Sequence, residues 1–264
     1  MVNPDHSPVS RVMLPMKKLI AFDLDGTLAE SKAPLDEDMA DRLARLTEVA
    51  HVCVISGGDW PQFEKQVVGR LPRKALRERL WIMPTTGTKL YRCTDGHWRA
   101  VYREDFSAAE KRDILAALDK AVDAAGFRNE KTWGPQIEDR GSQITFSGCG
   151  QDAPLDAKKA WDPDRRKREA MQKAAQQELP DLSVNIGGST SIDVTRKGVD
   201  KAYGIERLVK ESGIAKSEMI FMGDAVYPGG NDYSVPDKAG VDTIAVGSVD
   251  ETRRAIEAIV YCLG

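Results

Sequence analysis

Short runs of aliphatic and β-branched residues, each cut off by Asp or Gly, alternate at both ends of the chain with stretches whose apolar residues recur every three or four positions. The run KKLIAFDLDGT stops abruptly at Asp and Gly, as a buried parallel strand does at its carboxyl end. Residues 37–46 then set Met39, Leu43 and Leu46 on one helical face, and HVCVISGG reads as the next strand, closed by glycines. Strand, helix, strand predicts a parallel crossover unit. The same order returns near the C-terminus. KAYGIERLVKESG places Ile205, Leu208 and Val209 on a helical face with Gly213 as its stop, and the strands MIFMGDA and TIAVG come after it. A last helix opens on the capping-box pair Ser248 and Glu251 and is expected to bury Ile256, Ile259 and Val260.

The middle of the chain has a different pattern. TKLYRC, HWRAVYRE, SQITFSGCG and SVNIGGSTSIDVTR are strand-like, with two good helices among them. One starts at Ser107, has Glu110 three residues on and is expected to bury Ile114, Leu115, Leu118 and Val122; the other follows Asp162-Pro163 and covers 164–178. This segregation predicts an α+β unit inserted into an α/β host, a Rossmann-like core with a doubly wound parallel sheet. The boundaries are expected near 87 and 190, giving a host of 17–87 plus 190–264, an inserted domain of 88–189 and an unstructured extension over 1–16.

A length of 264 residues fits two modules better than one. Thirty-eight basic against 41 acidic side chains, a net charge of −3, leave no field to hold polyanions, which argues against nucleic acid and acidic membrane surfaces as partners. Cys53, Cys93, Cys149 and Cys262 are far apart, with neither a CxxC pair nor a neighbouring His, so they read as buried thiols in a reducing compartment. No apolar run reaches the roughly 18 residues of a membrane span, and residues 1–16 lack the apolar core of a signal peptide. A cytoplasmic location is the expectation.

Chemistry is concentrated at the ends of the host strands. Asp23 and Asp25 lie two residues apart at a strand's carboxyl end, so both side chains can point to one side, and Gly26 permits a sharp exit. Paired carboxylate oxygens repel unless a hard cation lies between them, which suits Mg²⁺. Asp224 ends another strand, and Asn231 and Asp232 follow a Pro-Gly-Gly turn that can fold them back toward it. Ser56 offers a hydroxyl at a third strand end, with backbone N–H groups of Gly57 and Gly58 suited to phosphate oxygens, and Lys201 opens a helix as a fixed point charge.

The ordered set Asp23, Asp25, Ser56, Lys201 and Asp224 resembles the haloacid dehalogenase superfamily of phosphotransferases, and the inserted unit is similar to its type IIB cap. Within that class the chain looks most like the eukaryotic-type phosphomannomutases, through FDLDGTL, IEDRGSQITFSG, NIGGSTSIDVTRKGVDK, GDAVYPGGND and DETRR. The resemblance implies that Asp23 is the nucleophile and Asp25 the acid/base, which also lends a backbone carbonyl to Mg²⁺. It implies that Ser56 and Lys201 bind phosphate oxygens, with Gly57 and Asn231 beside them, and that Asp224 and Asp232 complete the metal set. In the cap, Ser191 and Asp193 match contacts to phosphate and sugar hydroxyls, and Arg140 matches one of three arginines that hold the remote phosphate. The other two matching positions hold Trp133 and Gln151. An enzyme that releases its bisphosphate before it turns round lets water take the phosphoaspartate. The expectation is therefore a Mg²⁺-dependent sugar-phosphate phosphatase; the alternatives are a phosphomannomutase and a non-catalytic phosphosugar-binding regulator. A small phosphorylated sugar is the expected partner, and a homodimer is left open.

The basic run Arg165, Arg166, Lys167 and Arg168 reads as a solvated helix face rather than a polyanion site. Trp60, Trp133 and Trp161 are expected to pack in the core or at its rim, His51 and His97 to be structural, and Tyr227 and Tyr233 to pack beside the second acid motif.

Overall fold

Alternation within one strand decides how the host is layered. In β1 (Leu19–Phe22), Ile20 and Phe22 pack on one side of the sheet while Leu19 and Ala21 pack on the other, and all four are buried. A strand sealed on both faces has to be central, and it reads as a continuous apolar run. The computed structural model describes residues 15–264; the reading of 1–16 as an extension therefore lies, up to residue 14, outside the described residues.

From β1 the host continues through α1 (Glu37–Val49), β2 (His51–Ile55), α2 (Trp60–Gln66), β3 (Leu80–Met83) and the hairpin β4 (Lys89–Thr94) and β5 (His97–Arg103). The inserted unit comprises α3 (Ala108–Ala125), β6 (Ile137–Asp139), β7 (Ile144–Ser147), α4 (Leu155–Trp161), α5 (Arg166–Glu178), β8 (Leu182–Ile186) and β9 (Ser191–Arg196). The chain returns to the host with α6 (Lys201–Ser212), β10 (Met219–Gly223), β11 (Asp242–Ala245) and α7 (Val249–Leu263). The host sheet has the order β11-β10-β1-β2-β3-β4-β5, parallel from β11 to β3 and antiparallel in the final hairpin. One face is covered by α1 and α7 through Met39, Leu43 and Ile256, the other by α6 through Ala202, Ile205 and Leu208. The expected α/β fold with an inserted α+β unit is the fold observed.

The inserted unit is a four-stranded antiparallel sheet, β6-β7-β9-β8, with α3 and α5 on one face. Ile144, Phe146, Ile192 and Val194 meet Ile114, Leu118, Met171 and Ala175 there, so the alternate residues Thr145, Ser147, Ser191 and Asp193 occupy the opposite face.

Strand pairing corrects the expected boundaries. β4 and β5, read as inserted, extend the host sheet, while β9, read as host, lies in the inserted sheet. The sequence of each strand does not say which edge it pairs with. We place the crossings at 104–107 and 197–200 instead. Other expectations shift for local reasons. β3, α2 and α4 add elements that periodicity had not marked, and SVNIGGSTSIDVTR is two strands joined by a Gly-Gly turn. Leu115 is 40% exposed, Ile259 and Val260 are only partly buried, and Cys262, unlike the other three cysteines, is exposed. Tyr227 is also exposed, at 58%, rather than packed. Trp60 stacks on Tyr91 at 4.1 Å between centroids, and Trp161 packs edge-on to Phe127.

The basic run contains one clear exception to a solvated face. Arg168 is buried against the buried carboxylate of Asp162, donating from Nε at 2.8 Å to Oδ2 and from Nη1 at 2.6 Å to the Gly188 carbonyl. Asp162 also accepts from the backbone N–H groups of Lys167 and Arg168, which caps the start of α5. Removing one partner of such a pair strands the other charge in a dry site. Arg168→Met should lower unfolding free energy by about 3 to 5 kcal/mol in urea titrations; a loss below about 1 kcal/mol would mean that the pair is effectively solvated.

Candidate active site

Three host elements converge on one buried ammonium. β1 ends at Asp23, α6 begins at Lys201, and the turn after β10 returns Asp232 beneath them. Lys201 Nζ donates to Asp23 Oδ1 at 2.5 Å and also to Asp232 Oδ1, and all three side chains are at most 4% exposed. Asp232 Oδ2 accepts from the Ala225 N–H at 3.0 Å, so both oxygens of this fully buried carboxylate are engaged.

Glycines allow the acids to approach this closely. Gly26, at φ +84°, has no side chain where a Cβ would stand 2.5 Å from Asp224 Oδ2, and a Cβ on Gly223 would stand 2.3 Å from Asp232 Oδ2. Carboxylate oxygens of Asp23, Asp224 and Asp232 lie within 4.8 Å of one another. This oxygen-only donor set fits a hard divalent cation rather than a thiophilic one. The Asp25 carboxylate is directed elsewhere: its Oδ1 accepts from the Lys32 N–H at 2.7 Å.

The phosphate-loop candidates are fixed by strained backbone next to them. Thr85 and Thr86 adopt φ of 46° and 58°; the Thr86 N–H donates to the Ser56 carbonyl and the Thr85 N–H to the Gly58 carbonyl. Gly87 follows at φ +86°, and a Cβ there would lie 2.4 Å from Gly204 Cα, so α6 rests directly on this turn. Ser56 and Lys201 are thereby held to one another through backbone contacts.

Electrostatics follow from this crowding. Burial pushes Asp23 up to about 6, with Lys201 opposing and Asp232 adding to the shift. Burial works against the charge of Lys201, yet Asp23 and Asp232 outweigh it and hold its pKa above the ordinary lysine value. Asp224 is raised by its own burial and then by the charge of Asp232.

The inserted domain reaches the host through the loop between β6 and β7. Arg140 donates from Nη1 to the Gly57 carbonyl at 3.0 Å and is paired through Nε and Nη2 with Glu138. Lys89 Nζ holds the Arg140 carbonyl at 2.6 Å, and the Ser142 hydroxyl joins those of Thr85 and Thr88, all buried. Thr145 Oγ1 donates to Asp193 Oδ1 at 2.7 Å, tying two residues of the polar cap face. Asn231 is exposed one residue before the buried Asp232. Sequence reading passed over Lys32, whose backbone fixes Asp25 and whose charge helps to lower the pKa of Glu138 after the Arg140 hydrogen bond has done so. Its only local signal is a lysine in a polar loop just after the acid motif.

A doubly wound sheet with acids at its strand ends, a buried lysine in contact with two buried acids and an inserted α+β cap defines a phosphotransferase of the haloacid dehalogenase type. The family model described as eukaryotic phosphomannomutase matches residues 39–262, and the chain belongs to that family. A phosphomannomutase from Encephalitozoon cuniculi (strain GB-M1) is 27% identical over 270 residues, spanning 94% of this chain and 95% of its own. Human phosphomannomutase 1 is 25% identical over 247 residues, spanning 90% and 91%. Among solved structures, an IMP-nucleotidase of Plasmodium falciparum superposes with a TM-score of 0.65 at 16% identity, covering 93% of this chain and 68% of that one. A trehalose-6-phosphate phosphatase related protein gives 0.59 at 16%, covering 93% and 98%. These two share the fold.

A carboxyl group with a pKa of about 6 must lose its proton before it can ligate a cation. In calorimetric Mg²⁺ titrations, apparent affinity should fall about tenfold from pH 7.5 to pH 5. Equal affinity at both values would remove the Asp23 carboxylate from the ligand set.

Proposed function

We propose that this protein is a Mg²⁺-dependent phosphosugar phosphotransferase that works through a phosphoaspartate at Asp23, and that it acts as a phosphomannomutase. The observation that carries the reading is the buried contact of Asp23 with Lys201 beside Asp224 and Asp232. On this reading the Asp23 carboxylate attacks from beside a fixed ammonium able to receive phosphate oxygens. Family membership along most of the chain supports the mutase over the phosphatase favoured by the sequence reading.

Asp23 attacks phosphorus while Lys201, with the Ser56 hydroxyl and the Gly57 N–H, holds the transferring oxygens. Asp25, oriented by its bond from Lys32, gives a proton to the departing sugar oxygen and takes it back from the next acceptor. Asp23, Asp224 and Asp232, with the backbone carbonyl of Asp25, would hold Mg²⁺, whose charge offsets the repulsion between carboxylate and phosphate dianion. Arg140, Ser191 and Asp193 present the cap to the sugar phosphate, and Asn231 lies at the mouth. The spacing of the four cysteines in the sequence, with no CxxC pair, suits a reducing compartment, and we keep the cytoplasm as part of the proposal. Among the described residues no helix is long and apolar enough to cross a membrane.

One observation favours a second reading, hydrolysis. Trp133 and Gln151 stand where the mutase pattern has arginines, and the guanidinium of Arg140 is already neutralised by Glu138. Each missing charge-assisted hydrogen bond forfeits about 1.5 to 3 kcal/mol of hold on a remote phosphate. Incubation with mannose 1-phosphate, Mg²⁺ and a trace of the 1,6-bisphosphate, followed by ³¹P NMR, separates the two. Mannose 6-phosphate should accumulate faster than free phosphate; the reverse order assigns a phosphatase. In either case Asp23→Asn should retain less than about 1% of turnover, and higher retention contradicts the phosphoaspartate.

A further inference from the structure

The cap face opposite α3 and α5 carries a polar chain that the transfer reaction does not itself require. Thr145 on β7 and Asp193 on β9 are direct cross-strand partners, and the Thr145 hydroxyl donates to Asp193 Oδ1 at 2.7 Å. A hydroxyl has one proton to give. Since Asp193 takes it, the Thr145 oxygen can only accept from its other neighbour, Gln143 Nε2, at 3.0 Å. Gln143 and Thr145 are 6% and 4% exposed, so these bonds are shielded from competition by water.

The second oxygen of Asp193 is left for a different purpose. A Cβ on Gly187 would lie 2.6 Å from Asp193 Oδ2 and 2.6 Å from Ser191 Oγ, so both oxygens converge on the space that this glycine leaves open. The turn carrying Gly187 is held from below by the buried Arg168, which donates to the neighbouring Gly188 carbonyl at 2.6 Å, and its backbone is closed by Gly187 N–H to the Ser191 carbonyl at 2.9 Å. A fixed carboxylate oxygen beside a hydroxyl makes an acceptor next to a donor-acceptor, the complement of two neighbouring hydroxyls on a sugar ring.

We propose that Gln143, Thr145 and Gly187 are positioning residues: the Gln143–Thr145 relay locks Asp193 through Oδ1, and Gly187 leaves room for Asp193 Oδ2 and Ser191 Oγ to receive vicinal sugar hydroxyls together. This rests on the phosphosugar reading above and adds to it the devices that set selectivity in the cap. A carboxylate free to rotate would accept hydroxyls in several geometries and discriminate among none. Locked, it fixes where the acceptor lies relative to the phosphate loop.

Thr145→Val preserves shape and removes the proton donor. With mannose 1-phosphate as probe, the variant should lose at least tenfold in kcat/KM, mostly through KM. Turnover of p-nitrophenyl phosphate, which has no sugar to read, should stay within twofold. Thr145→Ser should restore the phosphosugar value to within threefold. Equal losses on both esters, or no loss on mannose 1-phosphate, overturn the proposal. Asp193→Ala separates it from the underlying function: if that variant also leaves mannose 1-phosphate turnover untouched, the phosphosugar reading of the cap fails, whereas loss in Asp193→Ala without loss in Thr145→Val sinks the relay alone. A crystal structure of Thr145→Val supplies a readout independent of any substrate. Asp193 should change rotamer or become disordered, and an unmoved carboxylate overturns the proposal.

Discussion

The architecture of the site depends on one buried ammonium serving two buried carboxylates. Lys201 cannot be dehydrated without Asp23 and Asp232, and its ammonium is the cation that both buried side chains contact. Adding Asp224 leaves three acids against one base. At an effective dielectric near 20, each like-charged pair about 4 Å apart costs on the order of 4 kcal/mol, so the cluster is strained until a cation or protons arrive. Burial is the larger reason that Asp23 is pushed up to about 6, with the charge of Asp232 adding to it against Lys201, and the same geometry suits a carboxylate that must stay near a phosphate dianion.

The rest of the host supplies the means of bringing these groups together. Parallel strands deliver Asp23 and Asp224 to the same sheet edge, the N-terminus of α6 delivers Lys201, and close backbone contacts replace side chains where there is no room. Gly26 admits Asp224, Gly223 admits Asp232, and the Gly87 to Gly204 contact seats α6 on the turn that also holds the Ser56 loop. The inserted domain is fastened at this same place through Arg140, Ser142 and Lys89, so the cap and the Ser56 loop share a joint.

Much of this was legible in the sequence for a local reason. An apolar run that ends in an acid and a glycine marks a strand end on its own, which is how Asp23, Asp25 and Asp224 were found, and GDAVYPGGND carries its fold-back turn within ten residues. What escaped was decided at a distance. The sequences of β4 and β5 do not name their partner, and only the pairing of β4 along β3 assigns the hairpin to the host. Arg168 looks like its basic neighbours until the fold brings Asp162 and Gly188 around it. Gln143 just before β7 and Thr145 within it are polar residues, and nothing near them in the chain announces Asp193 some fifty positions later.

The central claim is that phosphate passes through the carboxylate of Asp23, and the intermediate can be caught directly. The protein would be mixed with a phosphosugar substrate and Mg²⁺, quenched in acid within milliseconds, and treated with borohydride, which reduces an aspartyl phosphate to homoserine. Peptide mass spectrometry should place homoserine at position 23, dependent on substrate. A phosphate recovered on a serine, threonine or histidine, or steady turnover with position 23 never modified, would contradict the account.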